Sequence, residues 1–326
     1  PYDEPALDAD QVRIKAEFAA AKHGTEMAFY KNYALARGPY DREYQLHRKS
    51  DTPWLPYPFA VGNMIVGRVI EKGAEVKKVK EGDRVCVFSG FRPTCVAKEG
   101  ACWVMPEGMS WKSAVCLDPA EFAFAAVRDG HVRIGDAVAV SGMGAIGLMV
   151  VQLARLAGAS QVIAIDPLPS RRAIAEQLGA TATLDPRACD VGLTLKEMTA
   201  KRGVDVAIEY SGAAPAVQHA LRGVAYGGNV VLGAFPGAFG PGLDLGAEAH
   251  MNVPNIMFTR ACSQPDRDHP RWDEPRIFAT CWDLLVAGKI SGELIVQPVV
   301  TFESLLEEYP KIASQPQDFL KLGATF

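Results

Sequence analysis

The sequence predicts an α/β protein in which a β-rich domain accompanies a doubly wound parallel sheet. Two observations carry this prediction: short β-leaning runs fill the first third of the chain, and strands and helices alternate regularly after Asp136. A length of 326 residues fits two domains of ordinary size. We place the β-rich domain at residues 1–120 and 266–326 and the parallel-sheet domain at residues 121–265.

The first third of the chain reads as short strands separated by turns. Apolar residues alternate over residues 11–18, which is the period of a half-buried strand. Further β-leaning runs follow, separated by turns that contain glycine or proline, at residues 60–70, 84–89, 94–97 and 102–104. The apolar segment 319–326 predicts one more strand, which returns to this domain.

The alternating region begins with a buried strand at residues 137–140 and a helix at residues 145–157, which Gly158 ends. The same order then repeats, with strands at residues 161–165, 181–184, 205–209 and 229–232 and helices near residues 171–178, 193–201 and 216–223. Strands and helices that alternate at this spacing imply a parallel sheet with helices on both faces. Amphipathic helices are expected near residues 277–287 and 302–313.

Composition argues against several classes of partner. The formal net charge of −4 and the lack of a Lys/Arg block speak against nucleic acid and against an anionic membrane surface. The longest apolar stretch, residues 137–156, is interrupted by polar residues and glycines, so we expect no membrane span. The chain opens without a basic leader or an apolar signal core, and its seven cysteines form no C-x-x-C pair. We therefore expect a cytoplasmic protein with reduced cysteines.

A glycine-rich turn follows the buried strand at residues 137–140 and opens the next helix, with the pattern G-x-G-x-x-G. The first glycine permits a tight turn, the second lets the backbone approach a pyrophosphate, and the third allows the helix to pack closely on the strand. The helix N-terminus adds N–H donors and partial positive charge. The turn therefore predicts a Rossmann-type dinucleotide site whose cofactor-binding residues are Gly142, Gly144, Ala145, Ile146 and Gly147.

The next strand is followed by Asp166, at the place, about 20 residues beyond the turn, where a carboxylate binds a ribose 2′-hydroxyl. Because a carboxylate repels a 2′-phosphate, Asp166 favours NAD over NADP. Arg171 and Arg172 leave NADP open as the alternative, since a guanidinium pairs with phosphate. We count Arg171 and Ser211 among the expected cofactor-binding residues.

Three further segments point to a family. Residues 67–73 read G-R-V-I-E-K-G, residues 81–85 read E-G-D-R-V, and residues 203–212 read G-V-D-V-A-I-E-Y-S-G. Together with the glycine turn, they resemble the medium-chain dehydrogenase/reductase superfamily over essentially the whole chain. The resemblance implies a GroES-like β-rich catalytic domain joined to a Rossmann domain, a nicotinamide cofactor, and a homodimer or homotetramer.

Within that superfamily, the G-x-G-x-x-G turn is similar to that of the alcohol and polyol dehydrogenases, whereas quinone and enoyl reductases usually show A-x-x-G-x-x-G. Three short tracts resemble the bacteriochlorophyllide-dehydrogenase-like subgroup: Gly24-Thr25-Glu26, His250-Met251-Asn252 and Arg271-Trp272-Asp273. The four-cysteine insert that forms the structural zinc lobe in the family is absent after residues 84–85.

Zinc-dependent members of the family bring a C-G-x-D, a G-H-E and an E-P segment together under the nicotinamide. In the corresponding places this chain has His23-Gly24-Thr25-Glu26, Gly62-Asn63-Met64 and Asp118-Pro119. An Asn amide is a poor substitute for imidazole on zinc, so we expect no catalytic metal. If a metal is retained, the expected ligands are His23, Asp118 and Glu26.

Without a metal, alcohol oxidation needs a side chain that takes the hydroxyl proton. His23 is the first candidate for this base, and Asn63 is expected to hydrogen-bond the substrate oxygen. Asp118 or Glu26 is expected to orient the imidazole or to hold sugar hydroxyls. The alternatives are structural, with His23 as a packed loop residue and Glu26 as an acid in the first turn of a helix. Three other polar residues are weaker candidates: His47, expected at the surface, and His250 and Asn252, which fit a structural role equally well.

These residues predict an NAD(H)-dependent oxidoreductase that transfers hydride between nicotinamide and a secondary alcohol or ketone. A polyol or sugar-like molecule is the expected small-molecule substrate. Two alternatives stay open: an NADPH-dependent zinc-free reductase of activated double bonds, and a nucleotide-binding homologue without turnover. A preference for NADPH would indicate the first alternative. Cofactor binding without turnover would indicate the second.

Overall fold

The computed structural model describes residues 5–50, 58–261 and 271–326, and the chain forms two compact units. One unit combines Pro1–Val115 with Val296–Phe326, and the other comprises Cys116–Ile295. The second unit contains residues 116–120 and, among the described residues, 271–295, which the boundaries drawn from the sequence assign to the β-rich domain. The larger difference arises because the helix at Glu274–Val286 packs on the helix at Leu117–Asp129.

Strands and helices are numbered here along the described chain. The strands are β1 (Gln11–Ala20), β2 (Tyr40–Asp41), β3 (Leu46–His47), β4 (Met64–Lys72), β5 (Arg84–Phe88), β6 (Thr94–Lys98), β7 (Trp103–Val104), β8 (Ala137–Ser141), β9 (Gln161–Ile165), β10 (Ala182–Leu184), β11 (Val204–Glu209), β12 (Val224–Leu232), β13 (Asn255–Phe258), β14 (Val299–Thr301) and β15 (Gly323–Thr325). The helices are α1 (His23–Tyr30), α2 (Trp111–Ala114), α3 (Leu117–Asp129), α4 (Ala145–Leu156), α5 (Pro169–Gln177), α6 (Val191–Met198), α7 (Ala214–Gly223), α8 (Glu248–Asn252), α9 (Glu274–Val286), α10 (Leu305–Glu308) and α11 (Lys311–Ser314).

The β-rich unit is built on a sheet in the order β14-β15-β1-β4-β5-β7, in which β6 also pairs with β1. β1 runs antiparallel to β4, β6 and β15, so the segment at 319–326 does return to this unit as predicted. The alternating residues Val12 and Ile14 of β1 are fully buried in its core. Gly67 of the G-x-V motif crosses β1 so closely that a Cβ there would overlap the Lys15 carbonyl. The motif glycine therefore allows the two strands to approach.

The second unit holds a sheet in the order β10-β9-β8-β11-β12-β13, whose neighbouring strands are all parallel. Every residue of β8 is buried, as expected for a strand covered by helices on both faces. Helices and strands alternate from β8 to β12 as the sequence predicted. The predicted α/β class is therefore confirmed. β8 lies inside this parallel sheet, and the turn from β8 into α4 lies at the carboxyl end of the strand.

Two segments differ from the sequence prediction. The helix expected near residues 302–313 is divided into α10 and α11 at Pro310, because a proline lacks the N–H that a continuous helix needs. In addition, β2 and β3, for which the sequence predicted no strands, form an antiparallel hairpin in which Tyr40 pairs with His47. No helix of the described residues is long and apolar enough to cross a membrane.

Candidate functional site

The carboxyl end of β8 turns sharply into α4 through residues 142–147, the glycine loop. Gly142 has a φ of +90°, and its N–H donates to the Ile165 carbonyl at 2.9 Å. A Cβ on Gly142 would lie 2.5 Å from the Ser211 nitrogen, and a Cβ on Gly147 would overlap the Gly142 carbonyl oxygen. Both positions therefore need glycine for room, and Gly142 also needs it for a left-handed backbone.

Gly144 differs from the other two glycines, because a Cβ there would meet no atom within 4 Å. It is the N-cap of α4, and no side chain caps this helix. Ala145 and Ile146 form the first turn, so their N–H groups lie at the uncapped helix end. A glycine that packing does not require fits a ligand that approaches the backbone, and a helix N-terminus suits phosphate. The loop therefore fits the pyrophosphate of a dinucleotide.

Asp166 follows β9, is only 3% exposed, and is held by the glycine loop. Its Oδ2 accepts the Met143 N–H at 2.8 Å, and its Oδ1 accepts the Leu168 N–H at 2.9 Å. Arg171 Nη1 lies 3.9 Å from Oδ2, and burial lowers the pKa of Arg171. Arg172 instead donates to the Asp166 main-chain carbonyl at 2.6 Å. Arg171 is therefore the arginine of this pair that neighbours the carboxylate.

Ser211 lies in the loop after β11, which Glu209 holds in place. The buried Glu209 carboxylate accepts the N–H groups of Ser211 and Gly212 at 2.5 and 2.9 Å, and it also accepts the Ser211 hydroxyl. Burial raises the pKa of Glu209 above its ordinary value. Because the Ser211 main chain crowds Gly142, this loop forms one wall of the glycine loop.

Asp118 stands in the first turn of α3, in the same unit as the glycine loop. It is buried, with 4% of its surface exposed. The helix dipole favours an acid at this end of a helix. Asp118 can therefore stabilise α3 as well as take part in chemistry. Asp118 thus brings a buried carboxylate to the nucleotide-binding unit.

His23 opens α1, and its ring is tied to the segment before β15. Nε2 accepts the Leu322 N–H at 2.9 Å. A ring nitrogen that accepts an N–H carries no proton itself, so this contact assigns the Nδ1–H tautomer. A proton taken up at Nε2 would break the bond to Leu322. Any role of His23 as a base through this atom therefore has a structural contact to overcome.

Glu26 lies in the first turn of α1 and is 7% exposed. One carboxylate oxygen accepts the Lys22 N–H at 2.5 Å, and the other accepts the Tyr309 hydroxyl. Burial and the charge of Glu26 raise the pKa of Tyr309, so the hydroxyl stays a donor. These contacts match the helix-capping alternative for Glu26, and we treat its role as structural.

Asn63 precedes β4 and follows Gly62, whose φ is +95°. The Asn63 N–H donates to the Ala20 carbonyl at 2.9 Å, and its carbonyl accepts the Ser89 N–H at 3.0 Å. The side chain differs, because Nδ2 is buried and has no hydrogen-bond partner among the described residues. Such a donor costs about 1–3 kcal/mol, so the position suits an acceptor oxygen that comes from outside the chain.

Lys321 is a residue that sequence reasoning missed. It is 3% exposed, and its ammonium donates to the Ala21 carbonyl at 2.7 Å. Ala21 lies between Ala20, which binds the Asn63 main chain, and His23, so a buried positive charge lies beside this segment. The one signal in the sequence is a lysine inside an apolar run, where a buried charge needs a polar partner.

The expected catalytic loops offer few of the side chains that zinc prefers as ligands. The described residues include no group of three or more His, Cys, Asp or Glu side chains that could hold a metal. Nε2 of His23 is occupied by the Leu322 N–H, whereas each oxygen of Glu26 accepts one hydrogen bond and retains a further lone pair. Asn63 offers a neutral amide, which is a weak zinc ligand.

The remaining histidine candidates lie at exposed positions. His47 Nδ1 bonds the Gly38 carbonyl at 2.9 Å, and its ring packs edge-on against Tyr40. His250 lies on the exposed side of the short helix α8, next to the half-buried Asn252. The surface position expected for His47 is therefore observed.

Known families match both parts of the chain. Residues 8–124 match the family described as Alcohol dehydrogenase GroES-like domain. Residues 145–263 match the family described as Zinc-binding dehydrogenase. The first match covers the segments of His23 and Asn63, and the second begins within the glycine loop.

Individual relatives match over nearly the whole length. D-guloside 3-dehydrogenase of Escherichia coli (strain K12) is 44% identical over 334 residues, which cover 100% of this chain and 95% of the relative. (R,R)-butanediol dehydrogenase of Bacillus subtilis (strain 168) is 25% identical over 94% of this chain and 90% of its own length. The crystal structure of 2R,3R-butanediol dehydrogenase from Bacillus subtilis has a TM-score of 0.78 at 23% identity, over 100% of this chain and 95% of that one.

Proposed function

This chain belongs to the medium-chain dehydrogenase/reductase superfamily, on its alcohol and polyol branch, and we propose that it interconverts a secondary hydroxyl of a sugar or glycoside with the ketone. Membership makes it a nicotinamide-dependent dehydrogenase of secondary alcohols, as its sequence predicted. The observation that carries the proposal is the buried Asn63 Nδ2, a donor suited to a substrate oxygen. The name of the relative from Escherichia coli, D-guloside 3-dehydrogenase, supports a sugar ring over a simple diol.

NAD is the cofactor we propose, and when bound it supplies the acceptor for hydride from the carbinol carbon. The glycine loop and the N-terminus of α4 hold the pyrophosphate in this proposal, and Asp166 binds a ribose 2′-hydroxyl. Each Asp166 oxygen accepts one main-chain N–H and retains capacity for a hydroxyl donor. Arg171 is the residue that would pair with a 2′-phosphate if NADP were used.

The hydroxyl proton must leave before a ketone can form, and we assign its acceptor to Asp118. The sequence favoured His23, but protonation at Nε2 would break the contact with Leu322. A carboxylate takes a proton without a change of tautomer, and a positioned carboxylate is an established kind of general base. His23 then fixes the main chain near Asn63, while the Asn63 amide holds the substrate oxygen.

We further propose that turnover needs no zinc. In a zinc site the metal would polarise the alcohol oxygen. Nε2 of His23 is occupied by the Leu322 N–H and Asn63 offers a neutral amide, so these two residues suit the ion poorly. A hydrogen bond from Asn63 Nδ2 to the substrate oxygen supplies part of that polarisation instead.

We also propose a cytoplasmic homodimer or homotetramer. In the described part of the chain, Cys86, Cys95, Cys102, Cys116, Cys189 and Cys281 form no disulfide, which suits a reducing compartment. The oligomer follows from the family resemblance alone. Sedimentation of the purified chain tests it, and a monomer at all concentrations would contradict it.

The proposed activity is tested with NAD and NADP against a panel of methyl hexosides, polyols and simple diols. The nicotinamide absorbance gives the rate, and mass spectrometry identifies the ketone. We expect NAD to be reduced, with kcat/KM for the best hexoside about tenfold or more above that for butanediol. A preference for NADP would contradict the cofactor assignment, and a preference for diols would contradict the substrate class. Inactivity with every alcohol would contradict the whole proposal.

A further inference from the structure

Tyr210 stands at the end of β11, between the glycine loop and α3. Its N–H donates to the Ser141 carbonyl at 2.9 Å, at the point where β8 enters the glycine loop. Its hydroxyl donates to the Phe122 carbonyl of α3, also at 2.9 Å. One residue thus binds the end of β8 through its main chain and α3 through its side chain.

The surroundings of Tyr210 fix its ring. Glu209 directly precedes Tyr210, and its carboxylate accepts the N–H groups of Ser211 and Gly212, which follow Tyr210. These bonds hold the loop in one conformation. The ring packs on Gly233, where a Cβ would overlap it, and the Gly233 N–H donates to the Glu209 carbonyl at 3.0 Å. Glycine at position 233 therefore makes room for the tyrosine.

The hydroxyl of Tyr210 is kept as a hydrogen-bond donor. Burial raises its pKa above the ordinary value, and the negative charges of Asp129, Glu209 and Glu121 raise it further. The Phe122 carbonyl can only accept, so the protonated hydroxyl is the form that bonds it. The contact is therefore present across the physiological pH range.

We infer that Tyr210 is a positioning residue that fixes the first turn of α3, and with it Asp118, relative to the glycine loop. Phe122 follows Asp118 by one turn, so the anchored carbonyl lies about 6 Å from Asp118 along the helix axis. Displacement of a reacting group by about 1 Å lowers turnover about 100-fold, so a modest shift of α3 is enough to matter. The inference rests on the proposed role of Asp118 and adds a residue that touches neither substrate nor cofactor.

The test compares Tyr210→Phe with Tyr226→Phe, a control whose ring is 76% exposed on β12. Amide hydrogen exchange is measured on the whole protein, and kcat, KM and NAD affinity are measured in the wild-type and Asp118→Asn backgrounds. We expect Tyr210→Phe to speed exchange of the α3 amides about tenfold and to lower kcat about tenfold. NAD affinity should stay within about twofold. In the Asp118→Asn background the further loss of kcat should vanish, because both changes act through one carboxylate.

Gly233→Ala is the second variant, since its Cβ would displace the Tyr210 ring together with its hydroxyl, without removing the hydroxyl group from the protein. We expect the same pattern from it. Unchanged exchange in α3, or losses of kcat that multiply with Asp118→Asn, would overturn the inference. Failure of both variants to fold would also overturn it, because the hydroxyl would then serve stability alone. Hydrogen exchange needs no turnover, so faster exchange in a protein inactive on every alcohol would refute the proposed function and support the contact.

Discussion

The glycine loop and the loops that carry His23 and Asn63 keep the family pattern to different degrees. In the glycine loop, Gly142 and Gly147 meet steric demands that no other residue satisfies, and the motif is complete. In the β-rich unit, His23 Nε2 accepts a main-chain N–H and Asn63 Nδ2 has no partner among the described residues, and we propose that this pair replaces zinc ligands. A site built from backbone is dictated by space, whereas a site built from side chains can change its chemistry on the same fold.

The largest expected effect comes from Asp118, the residue that we propose accepts the hydroxyl proton. Asp118→Asn keeps the shape and removes the base, so we expect kcat to fall about 10²–10⁴-fold with unchanged NAD affinity. His23→Gln retains an acceptor for the Leu322 N–H, and we expect it to lose less than about tenfold. Steady-state kinetics with the best hexoside measure both variants. A larger loss for His23→Gln than for Asp118→Asn would return the role of base to histidine.

Two alanine variants test whether the glycine loop is shaped by packing or by its ligand. Gly147→Ala overlaps the Gly142 carbonyl, and we expect a loss of about 1–3 kcal/mol in the free energy of unfolding. Gly144→Ala meets no atom of the protein, so we expect unchanged stability and NAD binding weakened about tenfold or more. Urea unfolding and calorimetric titration with NAD separate the two effects. Equal NAD affinity for Gly144→Ala and wild type would show that no ligand approaches this backbone.

Asn63 and Asn229 can be compared, because the side-chain N–H of Asn229 is hydrogen-bonded and that of Asn63 has no partner among the residues that the structure describes. Asn229 Nδ2 donates to the Gly130 carbonyl at 2.9 Å and its Oδ1 accepts from Asn255 Nδ2 at 3.1 Å, so Asn229→Ala should lower the free energy of unfolding by about 1–3 kcal/mol. Asn63→Ala removes a buried donor without a described partner, so we expect no loss of stability. Its kcat/KM should fall about tenfold, since a substrate hydrogen bond is lost. If Asn63→Ala were destabilised but fully active, the Asn63 side chain would stabilise the fold and would not bind the substrate.

The smallest expected effect on turnover comes from the contact between Tyr309 and Glu26. Tyr309→Phe removes a hydrogen bond to a carboxylate, which should lower the free energy of unfolding by about 1.5–3 kcal/mol. Because we treat Glu26 as a helix cap, kcat should stay within about twofold of wild type. Thermal or urea unfolding beside a rate assay measures both. A stable but inactive Tyr309→Phe would restore Glu26 as a catalytic residue.

The sequence was sufficient for the fold and for the glycine loop because their signals are local. Strand and helix periods are set by near neighbours, and the positions of Gly142 and Asp166 follow from one motif. The contacts of the candidate catalytic residues join segments 299 and 283 residues apart, at Leu322 with His23 and at Tyr309 with Glu26. No pattern within a short window reports such pairs, and the buried Lys321 was missed for the same reason.

The most direct test of a zinc-free site beside an intact cofactor site is turnover of the wild-type chain after dialysis against a chelator. Metal content by mass spectrometry and the rate of NAD reduction are measured on the same sample, before and after added zinc. We expect full activity without metal and no gain from zinc. Activity lost on dialysis and restored by stoichiometric zinc would contradict the side-chain mechanism, with His23 and Asp118 then the first ligands to examine.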